Sequence, residues 1–225
     1  MCQFVSLLIF GPKLSGLYGE IVSCSDHSNS HSATEKWLGL AVRNDFAWAK
    51  VEIAPTKGPL DFDTYKFVLD EDRKPDWWTD EHQSRALAYG IAEARRLVKV
   101  DDLGRITHWP GDISPDLLAQ LGDTSALQTI GGYLDCSGNG AATFDVLTTI
   151  GGYLDCSGNG AATFDVLTTI GGYLDCRGNG AATFDVLTTI GGYLDCRGNG
   201  AATFDVLESV NGRPYKRPRL RDDLK

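Results

Sequence analysis

The chain has 225 residues, of which 42% are apolar and 23% charged, with a formal net charge of −9. That balance excludes a disordered polymer, and no apolar run reaches the roughly 18 residues that a membrane-spanning helix needs. Its acidity argues against a general nucleic-acid binder, and its length suits one ordinary domain with an appendage, or two small ones.

The opening MCQFVSLLIFGP has no basic segment and no small-residue cleavage site, so it reads as a first strand over residues 3–10 rather than a signal peptide. A cytoplasmic location follows as an expectation. Further strand-like runs cover residues 19–24, 47–53 and 65–69. Between the second and third lies SCSDHSNSHSATEKW, a polar loop running into a short helix. After Pro75 comes one clear helix. Thr79 suits its N-cap, Asp80 and Glu81 its first turn, and Arg95, Arg96 and Lys99 its last. Leu87, Ile91, Ala94 and Val98 form its expected buried stripe, and Trp77-Trp78 is expected to anchor it on the sheet, with exposed indoles as the alternative. Residues 100–128 read as irregular, apart from a turn at Pro110-Gly111 and a short helix over residues 114–121 with Pro115 at its first position.

From Thr129 the 20-residue unit TIGGYLDCSGNGAATFDVLT runs four times, its only interior change being Ser137 and Ser157 against Arg177 and Arg197. A unit this short cannot bury its own apolar face and must stack on its neighbours. The expected strand runs from Tyr133 to Ser137, with Leu134 and Cys136 inside and Tyr133, Asp135 and Ser137 outside. Ile130, Phe144 and Leu147 complete the core. Asn139, Asn159, Asn179 and Asn199 are expected to turn inward and bond the backbone of adjacent coils. Cys136, Cys156, Cys176 and Cys196 form a column of small buried thiols rather than disulfides.

The order Leu154-x-Cys156-x-x-Asn159-x-Ala161-x-x-Phe164-x-x-Leu167 resembles bacterial leucine-rich repeats of the 20-residue kind. Ala161 stands where a larger aliphatic residue is usual, which leaves a more compact β-helix open. The expected fold is therefore α+β. It comprises a small N-terminal α/β domain (1–110), a connector or cap (111–128), a right-handed parallel β-solenoid of about four coils (129–210), some 20 Å long, and a basic flexible tail (211–225). Residues 129–206 carry eight Asp against two Arg, whereas residues 207–225 carry six basic and three acidic side chains.

Chemistry-bearing candidates are sparse. Cys24, His27 and His31 have metal-ligand spacing but lack a second ligand pair. Cys2 becomes an N-terminal nucleophile if Met1 is removed, or else packs as a strand residue. His31 with Glu52, Asp70, Asp72 and Asp76 offers an acid/base or metal-assisted hydrolytic set. Against this, 70–72 also reads as a solvated loop, and Glu52 as a solvent-facing residue of its strand. No cofactor is expected. The best binding surface is the repeated strand face of Tyr133, Tyr153, Tyr173 and Tyr193 with Asp135, Asp155, Asp175 and Asp195, modulated by Arg177 and Arg197. Tyrosine is favoured at protein interfaces. A second acidic column, Asp145, Asp165, Asp185 and Asp205, lies elsewhere around the coil. Asp at ladder edges also serves simply to keep a stacked sheet soluble.

The succession SHSATEKWLGL, FAWAKVEIAP and YKFVLDEDRKPDWW in residues 30–78, with the opening MCQFVS, resembles an uncharacterised family of bacteriophage and prophage proteins that carry a small N-terminal domain and short tandem repeats. The resemblance implies origin on a mobile element and no particular activity. Taken with the acidity of the repeats, that origin points to a non-enzymatic protein whose acidic solenoid engages a host protein. That partner includes the possibility of a nucleic-acid-binding defence complex inhibited by imitation of nucleic-acid charge, as anti-CRISPR or anti-restriction proteins do. Direct nucleic-acid contact is confined to the basic tail. The alternatives are a hydrolase-like enzyme using Cys2 or His31 with the repeats as a targeting arm, and a structural or virion component.

Overall fold

The computed structural model describes residues 5–14, 16–24, 31–40, 47–70, 73–139, 144–160, 162–180, 183–199 and 203–214. Cys2, His27, Asp72 and the tail beyond residue 214 lie outside these.

The N-terminal part is an antiparallel four-stranded sheet made of β1 (Val5–Phe10), β2 (Ile21–Ser23), β3 (Trp48–Ala54) and β4 (Lys66–Leu69), in the order β2-β1-β3-β4. All six residues of β1 are buried. A half-solvated antiparallel strand would alternate, so both faces of this one are covered. Helix α1 (His31–Trp37) lies against β1, as does the longer α2 (Asp80–Leu97). Alternation sends Val5, Leu7 and Ile9, with Ala49, Val51 and Ile53, into the larger core under α2. Leu8, Phe10, Cys24 and Trp48 form a separate cluster on the other face.

Thr79 caps α2 as expected. Its hydroxyl accepts from the His82 backbone N–H, and the Thr79 N–H donates to His82 Nδ1 at 3.2 Å, closing a capping box in which histidine replaces the usual Glu or Gln. The buried stripe keeps Ala94 and Val98 of the expected one but is centred on smaller residues. Ala86, Gly90 and Ala94 face the sheet, while Leu87 and Ile91 flank them half-buried. The cause is close approach, since a Cβ at Gly90 would sit 2.3 Å from Ile53 Cγ1. Trp78 is buried and packs on Phe67 at a ring distance of 5.4 Å, which bears out its anchoring role.

Residues 106–128 are not irregular. They form a degenerate first coil of the solenoid. β5 (Lys99–Val100) pairs antiparallel with β6 (Ile106–Trp109), and β6 pairs in parallel with β7 (Thr129–Ile130), the first repeat strand. Ile113 bridges Leu134, Thr124 stands at the phenylalanine position and Leu127 at the leucine position. Helix α3 (Pro115–Leu121) replaces the asparagine turn, with Ser114 as N-cap accepting the Leu117 N–H at 3.3 Å.

Each repeat then contributes two short strands instead of the one expected. They are β8 (Leu134–Asp135), β9 (Thr149–Ile150), β10 (Leu154–Asp155), β11 (Thr169–Ile170), β12 (Leu174–Asp175), β13 (Thr189–Ile190) and β14 (Leu194–Asp195), followed by β15 (Ser209–Val210) and β16 (Arg213–Pro214). The Thr-Ile strands stack into one sheet, β16-β15-β13-β11-β9-β7-β6-β5, and the Leu-Asp strands into a second, β14-β12-β10-β8. From β6 to β15 the first sheet has six parallel rungs, hence about five turns. Two short strands per coil thus make two parallel sheets along the solenoid, where a leucine-rich repeat brings one strand per unit. At the C-terminal end Asn211 and Gly212, both with positive φ, reverse the chain into β16, an antiparallel edge strand blunted by Pro214.

The interior is a set of columns. Cys136, Cys156 and Cys176 are buried, and Phe144, Phe164, Phe184 and Phe204 stack at 5.4–5.7 Å. The asparagines turn inward as expected, with Asn159 Nδ2 donating to the Cys136 carbonyl at 3.0 Å and Asn159 Oδ1 accepting from Ala162 N at 3.0 Å. Glycine sets the coil spacing. A Cβ at Gly171 would lie 2.0 Å from the Gly151 carbonyl oxygen, a clash with backbone that no side-chain movement relieves.

Gly171→Ala is therefore expected to destabilise the chain by about 3 kcal/mol. Gly160→Ala, where an added Cβ meets nothing within 4 Å, stays within about 0.5 kcal/mol. Urea unfolding of the two variants checks the contrast.

Candidate functional site

The Leu-Asp sheet points Leu134 and Cys136 inward and carries Tyr133, Asp135 and Ser137 on its outer side, as the alternation requires. Because coils repeat at the strand spacing, the tyrosines are forced into register. Tyr133, Tyr153, Tyr173 and Tyr193 stack nearly parallel, at ring distances of 4.5, 4.5 and 4.7 Å and tilts of 4–6°. Isolated aromatic pairs prefer offset or edge-on contact, so the solenoid imposes this sandwich. Burial and neighbouring aspartates push the Tyr133 hydroxyl upward, and burial and neighbouring tyrosines do the same at Tyr153. Both hydroxyls therefore stay protonated and able to donate.

Beside the rings runs the Asp column. Asp135 Oδ1 accepts from Ser137 N and Oγ at 3.0 and 2.7 Å, and Asp155 Oδ1 accepts from Ser157 N at 2.9 Å. In the later coils arginine closes over the carboxylate. Arg177 reaches both oxygens of Asp175 at 2.6–3.1 Å and approaches Asp195 at 3.7 Å, while Arg197 pairs with Asp195 at 2.7 Å. Asp175 faces outward as expected and is covered there by Arg177, which leaves it 7% exposed. Among the described residues, acidity that no arginine covers is thus concentrated in the N-terminal half of the face. The second acidic column is exposed, with Asp165 accepting from Thr183 Oγ1 at 3.0 Å and Asp185 accepting from Thr203 Oγ1.

The N-terminal half also holds a residue that the repeat could not reveal. The degenerate coil places Asp112 at the tyrosine position, where its Oδ1 accepts the Tyr133 N–H at 3.0 Å. The aromatic stack therefore ends at Tyr133. A cavity of about 350 Å³ lies there, at the junction with the N-terminal sheet, lined by Pro55, Asp112, Asp116, Leu117 and Tyr133 among others. Burial raises the Asp112 carboxyl above the ordinary range, opposed by the Tyr133 N–H.

In the N-terminal part the structure brings together His31, Glu52 and Asp70, and leaves Asp76 exposed outside the group. Glu52 is not solvent-facing as expected. It is 4% exposed, because helix α1 covers that face of the sheet. Ser6, its cross-strand neighbour in β1, donates its hydroxyl to Oε1 and Oε2 at 3.2 and 3.1 Å. His31 Nε2 lies 3.1 Å from the Leu7 carbonyl and 3.2 Å from that of Val51, so this nitrogen bears the proton. Nδ1 then faces Asp70 Oδ2 at 3.5 Å and Glu52 Oε1 at 3.7 Å. Desolvation lowers the His31 pKa against the contributions of the Val51 carbonyl and Asp70, so the neutral ring at pH 7 makes no ion pair. Cys24 is buried with Leu8, Phe10 and Trp48 instead of joining His31.

The thiol column has a measurable signature. Burial pushes Cys136 and Cys176 up to about 12 and Cys156 higher still. A folded-state value above the unfolded one leaves stability intact below the ordinary thiol pKa and removes it as pH rises toward 12. The urea midpoint is expected to be flat to about pH 8.5 and to fall beyond it. A variant with Cys136, Cys156 and Cys176 all changed to Ala should lose much of that slope.

Comparison with family models, with curated proteins and with solved structures gave no match, so the two resemblances drawn from the sequence rest on their motifs alone.

Proposed function

We propose that this chain is a non-enzymatic binding protein, and that the tyrosine-aspartate strand face of its solenoid receives a basic protein partner. The supporting observation is the paired ladder itself. Four tyrosines are held in one rigid stack, beside Asp135 and Asp155, over which no arginine of the described residues closes. A rigid aromatic row offers contact area at little entropic cost, and a row of carboxylates at fixed spacing attracts cationic side chains. The partner's cations are expected to engage the N-terminal half first. There Asp112 and Asp116 border the cavity at the end of the stack, and a planar guanidinium has Tyr133 to stack upon.

A basic partner of this kind fits a nucleic-acid-binding host protein. With the phage-like motifs of residues 30–78, interference with a bacterial defence complex is the use this reading suggests. A structural role in self-assembly is the competing reading, and it predicts self-association in place of heterologous capture.

The test is affinity capture from bacterial lysate by the intact chain and by a Tyr133→Ala, Asp155→Asn double variant. A specific partner should be retained by the parent, released as salt is raised from about 50 to about 500 mM, and bound at least about tenfold more weakly by the variant. Equal capture by both chains, or a capture indifferent to salt, contradicts the proposal.

A further inference from the structure

The solenoid reading leaves the His31 cluster unexplained. Its geometry points to a divalent transition-metal site in the N-terminal domain, with His31 Nδ1, Glu52 Oε1 and Asp70 Oδ2 as protein ligands and further positions open.

Three acceptor atoms converge there, all within 4.8 Å of one another. His31 has its Nε2–H directed at the Leu7 and Val51 carbonyls, which aims the Nδ1 lone pair at the two carboxylates. The spacing suits a metal. Ligand bonds of about 2.0–2.2 Å in tetrahedral array put neighbouring donors about 3.4 Å apart; the two distances from Nδ1 are 3.5 and 3.7 Å, and the two carboxylate oxygens lie within 4.8 Å of each other. The outer contacts are of the kind that orient metal ligands: a backbone carbonyl on the far imidazole nitrogen, and a hydroxyl, Ser6 Oγ, on the buried carboxylate. One imidazole with two carboxylates favours zinc or manganese over calcium or magnesium, which prefer all-oxygen shells. Three protein ligands leave at least one position of a tetrahedral shell open to water or another small donor.

The strands make the site. Ser6 faces Glu52 across β1 and β3, Asp70 follows β4 and donates its N–H to Lys50, and α1 carries His31 over the same face. It is independent of the proposed solenoid interface.

The experiment is calorimetric titration of the full chain, first stripped with a chelator, with Zn²⁺ and separately with Mn²⁺, using Mg²⁺ as control. One ion per chain is expected, tighter for Zn²⁺ than for Mg²⁺. Asp70 is exposed, so Asp70→Asn keeps the fold and should weaken binding at least tenfold. Glu52→Gln, which keeps the Ser6 contact, should do the same. Nitrogen-15 NMR of the His31 ring gives a reading independent of folding effects: added Zn²⁺ should move the Nδ1 resonance while the Nε2–H stays in place. The absence of a saturable ion, or an affinity unchanged in Asp70→Asn, or an Nδ1 resonance unmoved at saturation would overturn the assignment.

Discussion

Successive coils are tied by backbone hydrogen bonds that run along the axis, from Gly151 N to the Ile130 carbonyl, Gly152 N to that of Gly132, and so on through every repeat. These bonds hold neighbouring coils at one strand spacing, and the glycine column permits it, because any side chain there would collide with the coil below. The remaining features are consequences of that spacing. Identical residues in identical units must fall into columns, so phenylalanine meets phenylalanine inside and tyrosine meets tyrosine outside. The same constraint that builds the core therefore builds the surface.

A stack of open coils has two ends, and each would template further pairing if left bare. The long sheet is closed at both by antiparallel strands, β5 at one end and β16 at the other. The N-terminal closure does more. Its degenerate coil fuses the solenoid core with that of the antiparallel sheet through Trp109 and Ile113, so one continuous apolar core runs through both parts. It also interrupts the tyrosine row with Asp112, and the cavity forms at that interruption.

The repeats were legible because four copies state the inside-outside pattern four times, and the inward Asn and Cys positions followed from it. The degenerate coil was not. Trp109, Ile113, Thr124 and Leu127 keep the column positions while sharing almost no residue identity with the unit, so only the fold reveals the register. The second strand of each coil is two residues long, too short for alternation to declare it. In the N-terminal part, alternation correctly opposed Glu52 to Val51 and Ile53. It could not tell that α1 covers the second face and buries Glu52 against His31. Grouping His31, Glu52 and Asp70 by residue type was sound, whereas Asp76 and Cys24 were carried by proximity in the chain and not in space. Arg177 and Arg197 read as a shift in surface charge. Their side chains neutralise the adjacent Asp instead of projecting a positive patch, which sharpens the acidic gradient.

The central claim is that the chain meets its partner through the tyrosine ladder. Hydroxyl-radical footprinting of the captured complex, read by mass spectrometry at each tyrosine, addresses it most directly. The account predicts that oxidation of Tyr133 and Tyr153 falls on complex formation, with Tyr193, 60% exposed at the far end, protected less. Unchanged oxidation along the ladder, with protection appearing instead on the N-terminal sheet and α1, would contradict it.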